Sequence, residues 1–478
     1  TNSTVSVWMY KIEEKNNHKI NINTSETDFY IPRIKWTNEN DKLAVFILNR
    51  RQNKLDMYFA NALTLTSNLI FTDTDKYYVD YENIDDLHFL KDNKSFVFVS
   101  ERDGFRHAFI SDITGKKIKL LTKGNLDATK VYGYNEKEQK LYYQSVENSS
   151  SQFNIYIVDN KGNKTRLSEG DGTHEASFSS NFTYYIDNFS STEIPNIVTL
   201  RDKSGKLVRE ILNNKDVLDR FKTMNFPKKE FFQFKTSEGI LLNGWILKPQ
   251  NVAENTKYPL LMVQYSGPNS QQVLDAWKID WEYFLCTQGY AVACIDGRGT
   301  GGRGSEFRKC TYKQLGVLEA TDQIEAAKYL GSLPFVDKSR IGIWGWSYGG
   351  FMTLNAMSSG ENVFKAGIAV APVTDWRLYN SAYTERFMQK PQDIAAGYDA
   401  GSPLSKVDKL SGNVLIIHGT ADDNVHLQNT MIYIDKLTDA KNQVELYTYT
   451  DKNHSILGRE TRKHLFCKKF EFLEKNLK

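Results

Sequence analysis

Gly345-Trp346-Ser347-Tyr348-Gly349-Gly350 stands between an apolar run, Arg340–Trp344, and a helix-forming run, Phe351–Met357. A G-x-S-x-G motif gains its meaning from such a setting, because it marks a sharp strand-to-helix turn at the end of a sheet strand. Side chains at the flanking positions of that turn would strike the neighbouring strand and helix, and glycine removes them. The serine hydroxyl then projects above the sheet at a helix N-terminus, with the Tyr348 amide facing the place where an oxyanion would form. A chain carrying this turn needs a mostly parallel sheet to hold it.

The segment from about residue 223 supplies one. Apolar strand candidates are Leu260–Val263, Ala291–Ile295, Ile341–Trp344, Ala366–Val370, Val414–Ile417 and Val444–Tyr449, with helical segments such as Leu318–Leu330 between them. Continuous apolar strands alternating with helices indicate a sheet covered on both faces. Residues 223–478 are therefore expected to form an α/β hydrolase domain.

Residues 1–222 follow a different pattern. Short aromatic-rich runs (Lys42–Phe46, Ser95–Val99, Lys140–Tyr143, Thr183–Ile186) each follow a turn rich in Asn, Asp, Glu or Lys. With Leu43, Phe96, Leu141 and Tyr184 as equivalents, the repeat is 53, 45 and 43 residues. Four short strands every 40–50 residues is roughly the period of a β-propeller blade. An irregular β-sandwich is the alternative. The opening stretch, Val5–Tyr10, Glu13–Asn17 and Lys19–Ile22, reads as the last two strands of a blade. The expectation is a partial propeller of about four blades plus the end of another, with the N-terminal blades upstream of residue 1 or supplied by another chain. A polar, helix-like stretch, Asn214–Phe221, followed by Pro227, marks the change of pattern.

At 478 residues the chain exceeds one ordinary core, which agrees with two domains. Lys and Arg number 61 against 58 Asp and Glu, and a net charge of +3 gives no reason to expect a nucleic-acid partner. No apolar run approaches the roughly 18 residues of a membrane span. Residues 1–5 lack the basic start and apolar stretch of a signal peptide. Cys286, Cys294, Cys310 and Cys467 show no metal-like spacing, and Cys286 and Cys294, in apolar runs, read as buried thiols.

A serine at its ordinary pKa needs a base, and in this fold the chain order is Ser, acid, His. Four histidines follow Ser347. His418 closes an apolar strand and reads as a packed structural imidazole, and His464 lies in a basic helical segment. His454 sits in the loop just after the last strand, where a base must lie to reach the serine; His426 is the runner-up. The preceding strand is followed by Asp422-Asp423, of which Asp422 is preferred as the acid. Acid and base then come from adjacent strand ends. Tyr265 ends the strand Leu260–Val263 on the same edge, where a phenol either donates a second oxyanion hydrogen bond or simply packs. Val373, Trp376, Tyr379, Tyr383 and Phe387 recur at spacings of three or four, as on one helical face that is either core or a pocket lining. Asp296-Gly297-Arg298-Gly299-Thr300-Gly301-Gly302-Arg303-Gly304 lacks the P-loop pattern and reads as a flexible loop.

Gly345–Gly350, His418–His426, Tyr383-Thr384-Glu385-Arg386 and Asp296–Gly299 together resemble the dipeptidyl peptidase IV branch of the prolyl oligopeptidase family, across the whole C-terminal half. The resemblance implies a serine exopeptidase that releases N-terminal Xaa-Pro or Xaa-Ala dipeptides. Ser347, Asp422 and His454 would be catalytic, and Tyr265 and the Tyr348 amide would form the oxyanion hole. Tyr348, Val373, Trp376, Tyr379 and Tyr383 would line the proline pocket, with Asn424 near the substrate carbonyl. It also implies a homodimer that uses no metal or organic cofactor, and a periplasmic, cell-surface or secreted location. The family's amine-clamping glutamate pair would precede residue 1. Ser455 stands where the mammalian members have glycine, and Ala366 where they have a disulfide cysteine. The rival readings are a related tripeptidyl or acylaminoacyl peptidase or an esterase, and a non-catalytic propeller scaffold.

Overall fold

The computed structural model describes residues 2–478. They fall into two compact units. One holds residues up to Ser190 with Asn196–Asn213 and Gly302–Glu306; the other holds Ser191–Pro195, Asn214–Gly301 and Phe307–Lys478.

The first unit is all-β and built from successive antiparallel sheets. A hairpin pairs Trp8–Lys11 with Asn16–Lys19. Next, Lys42–Asn49, Lys54–Asn61 and Ser67–Thr74 form a meander whose first strand also pairs with Phe29–Tyr30 and Ile34–Trp36. Three four-stranded sheets follow, each taking its strands in chain order, over 88–120, 128–166 and 173–212. Leu43, Phe96, Leu141 and Tyr184 lie on corresponding strands, those that pair with the first strand of each sheet and lead into the next.

Local chemistry sets the turns. Asp112, Asp159 and Asp202 each end the third strand of their sheet and accept hydrogen bonds from backbone N–H groups of the loop that follows. A short carboxylate bonding its own turn in this way replaces the ladder bonds the chain gives up there. Apolar clusters join one sheet to the next. Phe46, Phe59, Phe96, Phe98 and Phe109 form one, and Leu141, Tyr143, Val97 and Val99 belong to another. Face-to-face stacking of consecutive four-stranded sheets is the blade arrangement of a propeller.

The second unit has an eight-stranded sheet, numbered here within that unit as β1 (Glu230–Lys235), β2 (Leu241–Leu247), β3 (Tyr258–Val263), β4 (Ala291–Asp296), β5 (Val336–Trp346), β6 (Ala366–Val370), β7 (Asn413–Gly419) and β8 (Glu445–Tyr449). The spatial order is β1-β2-β4-β3-β5-β6-β7-β8. Only β2 runs against its neighbours; β4 to β8 and β3 are parallel. The six apolar runs are β3 to β8. The sequence reading missed β1, a largely exposed edge strand in which only Phe234 is buried, and β2, whose apolar run is interrupted by Asn243-Gly244.

Alternation along the strands divides the core in two. Leu260, Met262, Ile341, Ile343 and Ile416 face the helices Leu318–Gly331, Tyr348–Met357 and Gln428–Asp439. Leu261, Ile368, Leu415 and Ile417 face the helices Trp281–Thr287 and Arg459–Leu477. Both faces are apolar because both are covered, so the strands read as continuous hydrophobic runs. This is the α/β hydrolase architecture, and it brings the loops after β3, β5, β6, β7 and β8 to one edge. Among the described residues no helix is long and apolar enough to cross a membrane. Cys286 and Cys294 are buried free thiols.

Candidate active site

The turn after β5 is forced by its neighbours. Ser347 has φ 61° and ψ −117°, outside the regions an L-residue ordinarily adopts. Its N–H donates to the Val370 carbonyl at 2.8 Å, and its carbonyl accepts from Phe351 N–H at 3.0 Å, which opens the helix. A Cβ at position 345 would sit 2.4 Å from the carbonyl carbon of Gly349, and one at position 349 would sit 2.6 Å from the Gln264 carbonyl oxygen. Neither contact is possible between real atoms, so both glycines are sterically required.

The loops after β7 and β8 meet beside this turn. Asp422 Oδ1 accepts from the N–H groups of Asn424 (3.0 Å) and Val425 (2.9 Å). Its Oδ2 is 2.7 Å from His454 Nδ1 and 3.3 Å from His418 Nε2. Burial alone would raise this carboxyl's pKa; hydrogen bonds from His418 and His454 outweigh it and hold the group well below the usual carboxylate range. An ionised carboxylate only accepts, so His454 Nδ1 carries a hydrogen, and in the neutral imidazole Nε2 holds the lone pair. The His454 side chain keeps 19% of its surface exposed, while that of Asp422 is fully buried. Trp346 Nε1–H donates to the His454 carbonyl at 3.0 Å, tying this loop to the residue before Ser347. Asp423 and His426 are exposed, and it is Asp422 that meets the imidazole. His464 is exposed on the last helix, its Nδ1 2.8 Å from the Tyr449 hydroxyl.

His418 is fully buried, as expected of a structural imidazole, but it does more than pack. Its Nε2 lies 2.8 Å from the Val425 carbonyl, which can only accept, so Nε2 carries a hydrogen directed also towards Asp422. Nδ1 lies 2.8 Å from the Thr430 hydroxyl.

On the other side of Ser347, the Tyr265 phenol faces the serine side chain, and burial pushes its pKa up. Its ring centroid lies 6.0 Å from that of Tyr348. Tyr348 in turn packs on Trp376 (5.3 Å), which lies 5.7 Å from both Tyr379 and Tyr383. The Tyr379 hydroxyl donates to Asn424 Oδ1 at 2.6 Å. Val373 is buried in the loop after β6. These residues converge, but not as a single helical face. Trp376–Leu378 is one 3-10 turn and Ser381–Met388 a separate α-helix, begun by Asn380, whose side chain caps Tyr383 N–H. The three-to-four spacing survives because each short helix keeps its own period on either side of that break.

The glycine-rich loop after β4 also differs from expectation. Residues 296–301 are all buried. Asp296 accepts from Gln272 and Val273 N–H, and burial pushes its carboxyl up to about 6. Arg298 forks onto Asp322 at 2.7–3.1 Å and reaches Glu238 at 2.6 Å. This is a pinned loop, because its polar side chains find partners in chain segments distant in sequence. The same separation hid Glu319, a buried carboxyl that accepts from the Tyr348 hydroxyl at 2.8 Å. It lies 29 residues from that partner and carries no local motif.

Comparison with known proteins finds family likeness in both halves of the chain. The prolyl oligopeptidase family pattern matches residues 277–478, and that of the dipeptidyl peptidase IV N-terminal region matches residues 1–196. The crystal structure of Porphyromonas gingivalis dipeptidyl peptidase 4 superposes with a TM-score of 0.97 at 48% identity, covering 100% of this chain and 67% of that one. Dipeptidyl peptidase 4 of Trichophyton equinum is 32% identical over 474 residues, 95% of this chain and 61% of the relative. The chain thus spans about three fifths of the length of the curated relatives it matches. A near-complete structural overlap at this identity, with relatedness in both halves, means that the chain belongs to the prolyl oligopeptidase family.

Proposed function

We propose that the chain carries the catalytic part of a serine exopeptidase that releases Xaa-Pro or Xaa-Ala dipeptides from peptide N-termini. Ser347 Oγ attacks the carbonyl of the proline-like residue while His454 Nε2 takes its proton, and Asp422 holds the imidazole in the required tautomer. The Tyr265 hydroxyl and the Tyr348 N–H stabilise the oxyanion. His454 returns the proton to the leaving amine, and the acyl-enzyme is then hydrolysed by water with His454 again as base.

The rings of Tyr348, Trp376, Tyr379 and Tyr383, with Val373, suit a flat, rigid pyrrolidine. Burying its three methylenes contributes about 2 kcal/mol. Asn424, already bonded through its side-chain oxygen to Tyr379, is left with its amide N–H groups to donate to a substrate carbonyl.

The observation that carries the reading is the 2.7 Å Asp422–His454 hydrogen bond, in a loop that Trp346 ties to the residue before Ser347. Labelling with a fluorophosphonate tests it: Ser347 should be modified, and Ser347→Ala should abolish both labelling and turnover of an Xaa-Pro amide. Labelling undiminished in Ser347→Ala would refute the assignment. Comparison of free-amine with N-blocked substrates separates the dipeptidyl reading from acylaminoacyl or esterase activity. A homodimer, the usual state in the family, is proposed with it, and light scattering reads the mass.

A further inference from the structure

Tyr348 has three attachments. Its backbone amide adjoins Ser347, its ring packs among Tyr265, Phe351 and Trp376 at 5.2–6.0 Å, and its hydroxyl donates to Glu319 Oε1 at 2.8 Å. Glu319 opens the helix Leu318–Gly331 and is only 1% exposed; Tyr348 is 2% exposed. The second carboxylate oxygen accepts from Gly316 N–H at 3.0 Å. Two donors therefore meet two acceptor oxygens in a site closed to water. The ionised carboxylate satisfies that arrangement. A protonated one adds a third hydrogen, and with it a buried donor competing for the same two oxygens.

We propose that Glu319 is a positioning residue of the specificity pocket: it holds the Tyr348 phenol, and so the ring against which proline packs, and its carboxylate form is the one that holds that ring in place. The inference rests on the serine peptidase reading above.

The electrostatic surroundings support it. Burial raises this carboxyl to about 7, against hydrogen bonds from Tyr348 and Gly316 that lower it. The titratable groups facing it are few. Asp322, on the same helix, repels it and is itself paired with Arg298. Cys310 faces it as a thiol pushed up to about 11, chiefly by burial. Tyr348 in turn faces Tyr265 and Tyr383. No cation pairs with Glu319 among the described residues, so its proton occupancy is free to change near neutral pH.

The test compares two probes that modify the same serine. N-acetyl-prolyl diphenyl phosphonate must place a pyrrolidine ring in the pocket and carries no titrating group; a small alkyl fluorophosphonate places nothing there. Both need Ser347 and His454, so the ratio of their second-order labelling rates cancels the chemistry and reads the pocket. Losing one buried hydrogen bond corresponds to an effect of about three- to tenfold. The ratio should fall by that factor between pH 8 and pH 6 in the unaltered protein. Glu319→Gln, whose amide brings the extra hydrogens permanently, should show the low ratio at every pH.

A ratio independent of pH in the unaltered protein overturns the proposal while leaving the hydrolase reading intact. So does a pH-dependent ratio that persists in Glu319→Gln. If neither probe labels Ser347, both readings fall together. Should Glu319→Gln not fold, the profile of the unaltered protein decides alone.

Discussion

Replacing Ser347 by glycine should make the hydrolase unit more stable than replacing it by alanine. Both variants lose the hydroxyl, so that loss cancels in the comparison. What differs is the Cβ. At φ 61° and ψ −117° the Cβ is crowded against its own backbone, and such a conformation costs about 1–3 kcal/mol in a residue other than glycine. The turn cannot relax. The Ser347–Val370 hydrogen bond fixes one side, and the start of the helix Tyr348–Met357 fixes the other. Glycine removes the strain but gives the unfolded chain more freedom, an offset of about 0.4–1 kcal/mol. The net expectation is a gain of about 1 kcal/mol, with Ser347→Gly above Ser347→Ala by roughly 2 °C in a unit of this size. Differential scanning calorimetry of the two variants at one pH and one scan rate measures the difference. If Ser347→Ala melts at or above Ser347→Gly, the elbow stores no strain at Ser347 and the steric account of this turn is wrong.

Gly349→Ala should fail to give labelled, soluble protein, because its Cβ would sit 2.6 Å from the Gln264 carbonyl and the backbone must shift at a cost above about 3 kcal/mol; normal expression and labelling would contradict this. His418→Phe keeps an aromatic ring, a somewhat larger one, but removes the hydrogen directed at Asp422, so kcat on an Xaa-Pro nitroanilide should drop about tenfold with KM little changed; an unchanged kcat in a folded variant counts against it. Stability should respond to pH through Glu319, whose carboxyl rises from the ordinary 4.5 to about 7 on burial. A carboxyl raised by folding favours the folded state most below its unfolded pKa. Up to ~3 kcal/mol of that preference is lost as pH climbs from about 4.5 through 7. Urea titrations across that range should show the decline, and Glu319→Gln should flatten it.

The pinned glycine-rich loop, the broken aromatic face and Glu319 all escaped the sequence reading. Two depend on side chains that meet across long separations, Arg298 with Asp322 and Tyr348 with Glu319, and the third on a cap at Asn380 that breaks the helix between Trp376 and Tyr383. Hydrophobic period and turn residues are local signals, and they report which face of an element is apolar rather than which partner it meets. β1 escaped for a related reason, since an exposed edge strand lacks the continuous apolar run of a covered one.

By itself the sequence determined the strand-and-helix alternation after residue 223, the antiparallel repeats before it and the serine in a glycine-flanked turn, because each rests on residues adjacent in the chain. The sequence could only prefer Asp422 to Asp423; tertiary structure showed that it is Asp422 that meets His454, that His418 also addresses that carboxylate, and that Glu319 bonds the phenol of the residue after Ser347. Those choices depend on burial and on distances between strand ends. Both arise only when the parallel sheet brings its loops to one edge and excludes water from the groups between them.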